Sequence, residues 1–242
     1  MMASRGYDMT PTMYSPDGRI YQVEYAIETV KRGTLAIGVT SKEGVVIAVE
    51  EKPRALQTSN ITQKIFQVDR HIGIAAAGYI PDARVQVDNA RFFSQGNKMT
   101  YDEPVEVETV AKHLADQYHQ FTQYSGVRPY GVALIIAGVD VKGERIYVTD
   151  PSGTFVPYSA VAIGAGADEV NDFLEKSYDA AMSLEDAATL AVAAIDLKTE
   201  KKDGIKHIKM AKVTSEKQSM EKISDEDLQK YSDMAAKKFK QA

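Results

Sequence analysis

The sequence has no cysteine. That excludes disulfides, thiol catalysis and thiolate metal sites together, and it agrees with an intracellular chain. Histidines are few: His71, His113, His119 and His207 are scattered, without metal spacing such as His-Glu-x-x-His, so neither a metal nor another cofactor is expected. No excess of basic residues is present, since 29 Lys and Arg stand against 34 Asp and Glu for a net charge of −5. With no dense basic stripe, nucleic acid is not expected as a partner. Long apolar runs are missing too; the longest, over 132–139, is far too short to span a bilayer. Met-Met-Ala-Ser-Arg-Gly-Tyr-Asp at the N-terminus lacks the apolar segment of a signal peptide. The expectation is a cytoplasmic chain that contacts no membrane.

What is present suits a folded domain. The 242 residues, 44% apolar and 26% charged, are enough to bury a core within one domain over 1–242. Residues 1–13 lack periodicity and carry Gly6 and Pro11, which predicts a mobile arm. Ser15-Pro16-Asp17-Gly18 reads as a turn, with Pro where φ is fixed and Gly where φ can turn positive. A helix fits 19–31, because Ile20, Val23, Ile27 and Val30 recur at steps of three and four. Glu24 and Glu28, four apart, repel unless something else meets one of them.

Strands are expected over 34–39, 45–50, 64–68 and 72–77, several apolar at nearly every position, as strands covered on both faces are. Helices follow at about 82–96 and 105–123, strands at 131–139, 145–149 and 161–164, and a helix at 167–178. Ser183 opens a further helix to about 199 with a capping-box pattern. Residues 200–204 read as solvated loop, 205–213 as strand, and Ser224 caps a last helix over 224–240. Strand pairs separated by helix pairs suggest stacked layers, with sheets packed on each other and helices outside.

Tyr7-Asp8, then Tyr-Ser-Pro-Asp-Gly-Arg-x-x-Gln-Val-Glu-Tyr-Ala at 14–26 and Lys31-Arg-Gly-Thr34, resemble the N-terminal signature of proteasome α subunits. The similarity continues through Gly78-x-x-x-Asp-Ala-Arg84, Tyr124-Ser-Gly-Val-Arg-Pro-Tyr-Gly131 and Asp150-Pro-Ser-Gly153, covers about 7–215, and is of the archaeal type. The resemblance implies an α/β (α+β) chain folded as a four-layer αββα sandwich of the Ntn-hydrolase type. It also implies a place among other α subunits in a seven-membered ring that caps the β subunits of a proteasome core particle. Such a ring gates the admission of unfolded polypeptide substrates. In ATP-dependent protein degradation it docks an AAA ATPase activator through a hydrophobic-Tyr-any C-terminus.

By the same resemblance, Lys64 lines a pocket between neighbouring subunits and receives the tail's terminal carboxylate. Gly18 and Arg19 lie near the tail's tyrosine, and Glu24 and Gly33 are wall residues. By residue type alone, Lys64 is a strand-end lysine in solvent. Tyr7, Asp8, Pro16 and Tyr25 match the cluster that holds the gating arm open, and read otherwise as ordinary arm residues. Met9 stands where the family commonly has arginine, and Tyr79-Ile80-Pro81 replaces smaller or aliphatic residues. Tyr124, Ser125, Gly126 and Val127 match the loop that forms a narrow ring beneath the gate, with Arg128-Pro129-Tyr130 fixing it to its strand.

Gly33-Thr34 also matches the bond at which catalytic relatives are cleaved to free a threonine whose own α-amine is the base. Glu50 then lies near the acidic position and Lys64 matches the lysine. Against activity, the Thr34 amine is tied up in a peptide bond, Leu35 suits a packed strand, and the upstream segment is patterned as a folded helix. The expectation is a non-catalytic subunit of a threonine-type endopeptidase complex. The alternatives are an active N-terminal-threonine peptidase formed by self-cleavage before Thr34, and a free-standing scaffold of the same fold.

Overall fold

The computed structural model describes residues 6–10, 12–51, 56, 64–198 and 205–239, and within them the strands form two five-stranded antiparallel sheets. One sheet runs in the order β10 (Met220–Lys222), β9 (Ile208–Thr214), β2 (Gly44–Glu50), β1 (Ala36–Ser41) and β8 (Ala160–Ile163). The other runs β3 (Ile65–Asp69), β4 (Ile72–Gly78), β5 (Val132–Asp140), β6 (Gly143–Thr149) and β7 (Phe155–Pro157).

Period-two alternation distributes these strands among three cores. In β5, Val132, Leu134 and Ile136 pack with α2 (Ile80–Tyr101) and α3 (Val107–Phe121), while Ala133, Ile135, Ala137 and Val139 face the other sheet. In β1, Ile37 and Val39 pack with α4 (Ala167–Ser177), α5 (Leu184–Asp196) and α6 (Asp225–Lys238), while Ala36 lies between the sheets. Both faces of the central strands are therefore dry, and β2 and β5 are buried at every position. The result is the four-layer αββα arrangement, an α+β sandwich of the Ntn-hydrolase type.

A remaining helix, α1 (Tyr21–Lys31), lies against β4 and β5 and buries Val23, Ala26 and Val30, with Ile20 and Ile27 half-buried beside them. It begins two residues later than the spacing predicts. The Ser15 hydroxyl accepts from the Arg19 amide, Gly18 sits at φ +75°, and Ile20 is extended, so 15–19 is held as a turn. By contrast α2 is longer than expected at both ends. Pro81 falls in its first turn, where a missing N–H costs nothing, and the helix stops only at left-handed Asp102.

Strand β9 starts at Ile208 because 205–207 form a 3₁₀ turn. The edge strands β7 and β10 have three residues each, too few for periodicity to reveal. Ser183 and Ser224 cap α5 and α6, accepting from the amides of Asp186 and Asp227. Residues 1–5 and Pro11 of the expected arm, the 200–204 loop and residue 240 lie outside the described residues. Among those described, no helix is long and apolar enough to cross a membrane.

Candidate functional site

At the junction between α1 and β1, Gly33 lies backbone on backbone: a Cβ there would sit 2.2 Å from the Gly78 nitrogen. The Gly33 carbonyl accepts from the Ala165 amide at 2.7 Å. Thr34 follows, with its nitrogen in the peptide bond to Gly33, and its hydroxyl donates to the Glu50 carbonyl at 2.8 Å. Lys64, just before β3, points its ammonium into the same place. It donates to the Thr34 hydroxyl oxygen at 2.7 Å, the Thr34 carbonyl at 2.8 Å, the Leu35 carbonyl at 3.0 Å and the Glu50 carbonyl at 3.1 Å.

Lys64 is only 5% exposed, against the solvent lysine that residue type suggests. Burial pushes its pKa down to about 8, opposed by the Glu50 and Glu51 carboxylates. The fold thus assembles a hydroxyl, a lysine and a nearby acidic residue, and while residues 1–33 stay attached the Thr34 nitrogen is an amide that cannot take the hydroxyl's proton.

A second group sits on and before α1. Arg19 grips Glu24 through two bonds, one from Nε at 2.6 Å, and its guanidinium lies 5.0 Å from the Tyr21 ring. The Arg19 bond holds the Glu24 carboxyl below the usual carboxylate range and raises the guanidinium in return. Glu28 is met by Lys31 at 2.9 Å, so each member of the repelling glutamate pair has a cation of its own. The arm reaches the same helix: Gln22 Nε2 donates to the Asp8 carbonyl, and the Tyr25 hydroxyl lies 3.4 Å from the Asp8 carboxylate. Tyr21 and Tyr25 stack with centroids 6.4 Å apart. Tyr7 is half-buried, while Pro16 and Met9 are exposed.

The 124–127 loop leaves the C-terminal end of α3. Tyr124, Ser125 and Gly126 are exposed, Val127 is half-buried, and Gly126 takes φ +86°. Beyond it, Arg128 pairs bidentately with Asp82 at 2.6 and 2.8 Å, and Tyr130 stacks on Phe121 at 4.3 Å. A cavity of about 370 Å³, lined among others by Thr12, Tyr14, Ile20, His119 and Gln123, places the end of the arm beside the root of this loop.

The structure therefore brings Gly33 and Thr34 to Lys64, Arg19 to Glu24, and Asp8 to Tyr25. Two residues gain a role that the sequence did not assign: Gln22 bonds the Asp8 carbonyl and Asp82 pairs with Arg128. Both stand inside the 14–26 and 78–84 motifs, which was the signal that could have found them. Among the described residues, no group of three or more His, Cys, Asp and Glu could hold a metal ion.

Comparison with known proteins bears on the same residues. A family model described as "Proteasome subunit" matches residues 30–213, and a second, for the N-terminal signature of A-type proteasome subunits, matches residues 7–28. The proteasome alpha subunit of Methanothermobacter thermautotrophicus is 43% identical over 228 residues, spanning 94% of this chain and 92% of the relative. That of Archaeoglobus fulgidus is 42% identical over 237 residues, 98% of this chain and 96% of the relative. The proteasome alpha 1 subunit of Haloarcula marismortui is 45% identical over 225 residues, 92% and 86% respectively.

Proposed function

This chain belongs to the proteasome α-subunit family, and from that premise we propose that it is a non-catalytic, gating and docking subunit in the outer ring of a core particle. The observation that carries the non-catalytic reading is that the segment before Thr34 is built into the fold: α1 buries Val23, Ala26 and Val30 against β4 and β5, and Gly33 is wedged on the Gly78 backbone. With that segment attached the Thr34 nitrogen is an amide, and Lys64 holds the Thr34 hydroxyl and three carbonyls. A hydroxyl with a cation beside it and no base is not a nucleophile near neutral pH. The chain then lends its fold to assembly with other α subunits and with β subunits that carry the proteolytic threonines. Its working place is the cytoplasm.

The gating part rests on the arm. Asp8 held by Gln22 and Tyr25, and the cavity joining Thr12 and Tyr14 to the root of the 124–127 loop, support an arm over a constriction made by Tyr124, Ser125, Gly126 and Val127. Unfolded polypeptide passes such an opening and folded domains do not. For docking, a pocket of Lys64, Gly18, Arg19, Glu24 and Gly33 between neighbouring subunits would take the C-terminal carboxylate of an AAA ATPase tail. A second reading has its own support: at 5% exposure and with oxygen acceptors on every side, Lys64 is an internal strut for the α1–β1 junction.

Two measurements test this. Intact mass of the chain after co-expression with a β subunit is expected to include residues 1–33 apart from the initiator methionine, and the isolated chain is expected to hydrolyse no peptide. A mature chain beginning at Thr34, with peptide consumed, overturns the reading. For docking, Lys64→Met is expected to keep ring size and lose stimulation by an activator tail peptide; unchanged stimulation leaves the strut alone standing.

A further inference from the structure

We propose that Asp82 and Arg128 form a clamp that sets the position of the 124–127 loop, making Asp82 a positioning residue for the constriction. The inference rests on reading that loop as the constriction.

The loop has little to hold it in place by itself. Tyr124 is 61% exposed, and nothing lies within 4 Å of where a Gly126 Cβ would be. Its position is set by its two ends. Upstream, the amides of Gln123 and Tyr124 donate to the Gln120 carbonyl and continue α3. Downstream, three donors converge on one carboxylate: Arg128 at 2.6 and 2.8 Å, and the Gly131 amide at 2.9 Å. Asp82 is 8% exposed and lies in the first turn of α2, where a helix N-terminus favours negative charge. A planar fork on a carboxylate fixes orientation as well as distance.

The clamp also has neighbours that tie it to the arm. The Arg128 guanidinium lies 5.4 Å from the Tyr79 ring, and Tyr130 packs on the Phe121 and Tyr118 rings of α3. Arg128 and Tyr79 form one wall of a cavity of about 330 Å³ whose other wall is Gln22, Tyr25 and Thr29, the α1 surface that grips Asp8. A loop anchored by a single buried carboxylate moves when that carboxylate loses its partner.

The test uses particles assembled with a β subunit but lacking residues 1–12, so that the arm does not limit passage. Each is given a tetrapeptide and an unfolded polypeptide carrying a cross-linked hairpin. Arg128 is 58% exposed, so its replacement removes no core. Arg128→Met is expected to shift the ratio of hairpin to tetrapeptide degradation about tenfold, as loss of a charged bond pair shifts the anchored population. Arg128→Lys, which keeps the charge and loses the fork, is expected to fall between, and Asp82→Asn to match Arg128→Met, all with ring size unchanged. Tyr124→Gly is the comparator. A ratio moved by Tyr124→Gly but not by Arg128→Met overturns the clamp. A ratio unmoved by Tyr124→Gly withdraws the constriction reading, and the clamp with it.

Discussion

The Lys64 ammonium lies 2.7 Å from the hydroxyl oxygen of Thr34 and 2.8 Å from its carbonyl oxygen, so one buried cation holds both polar ends of the residue that leads into the first strand. The same atoms serve catalysis only if a free amine stands beside the hydroxyl. Here α1 stands there instead, and the geometry becomes a brace.

Lys64→Met leaves the carbonyls of Thr34, Leu35 and Glu50 short of a donor and is expected to cost about 1–3 kcal/mol, read by chemical denaturation. The pH dependence has a definite sign. The folded-state ammonium titrates near 8, below its ordinary 10.5, so between these values the unfolded chain binds the proton that the native chain has released. Stability from this group therefore rises with pH across that window, and its penalty is fully present below about 8. Subtracting the Lys64→Met curve from the parent curve should isolate that slope.

Thr34→Val removes the hydroxyl between Lys64 and the Glu50 carbonyl. The expected loss is about 1 kcal/mol of stability, with peptide hydrolysis by the assembled particle unchanged. A fall in turnover with the ring intact would return Thr34 to a catalytic role.

Gly33→Ala is expected to be among the most damaging single changes in the chain. The added methyl would meet the Gly78 nitrogen at 2.2 Å and its Cα at 2.8 Å, backbone atoms that cannot rotate away. A loss of more than about 4 kcal/mol follows, seen as insoluble expression or a collapsed thermal midpoint.

For the arm, deletion of residues 1–12 is expected to speed tetrapeptide hydrolysis by the assembled particle without an activator. Gln22→Ala removes the bond to the Asp8 carbonyl and, on the proposed gating role, should lower the activator-stimulated rate about fivefold, the effect of one hydrogen bond of about 1 kcal/mol on the arm's position. Equal stimulated rates in Gln22→Ala and the parent would remove Gln22 from gating.

Much of the fold was legible because its signals are local. The strands apolar at every position declared two covered faces, and the Ser183 and Ser224 caps marked the starts of their helices within a residue. The misses have physical reasons. Pro81 reads as a breaker in one dimension and as an ordinary first-turn residue once the helix is in place. Lysine at 64 belongs by type in solvent, and only the approach of β1, β2 and β3 encloses it. Asp82 stands in the 78–84 motif and at a helix start, but its partners, Arg128 and the Gly131 amide, come from 46 and 49 residues further on and are joined to it only by the fold.

By itself the order of residues determined the layers, the element types and the family, because periodicity, capping and turn chemistry act over a few neighbours at a time. Which side chains work together was decided only by tertiary structure. Thr34 with Lys64, Asp8 with Gln22, and Asp82 with Arg128 are each joined across 14 to 46 residues. A hydrogen bond needs its atoms within about 3 Å, and that distance exists only after the sheets have stacked and the helices have closed over them.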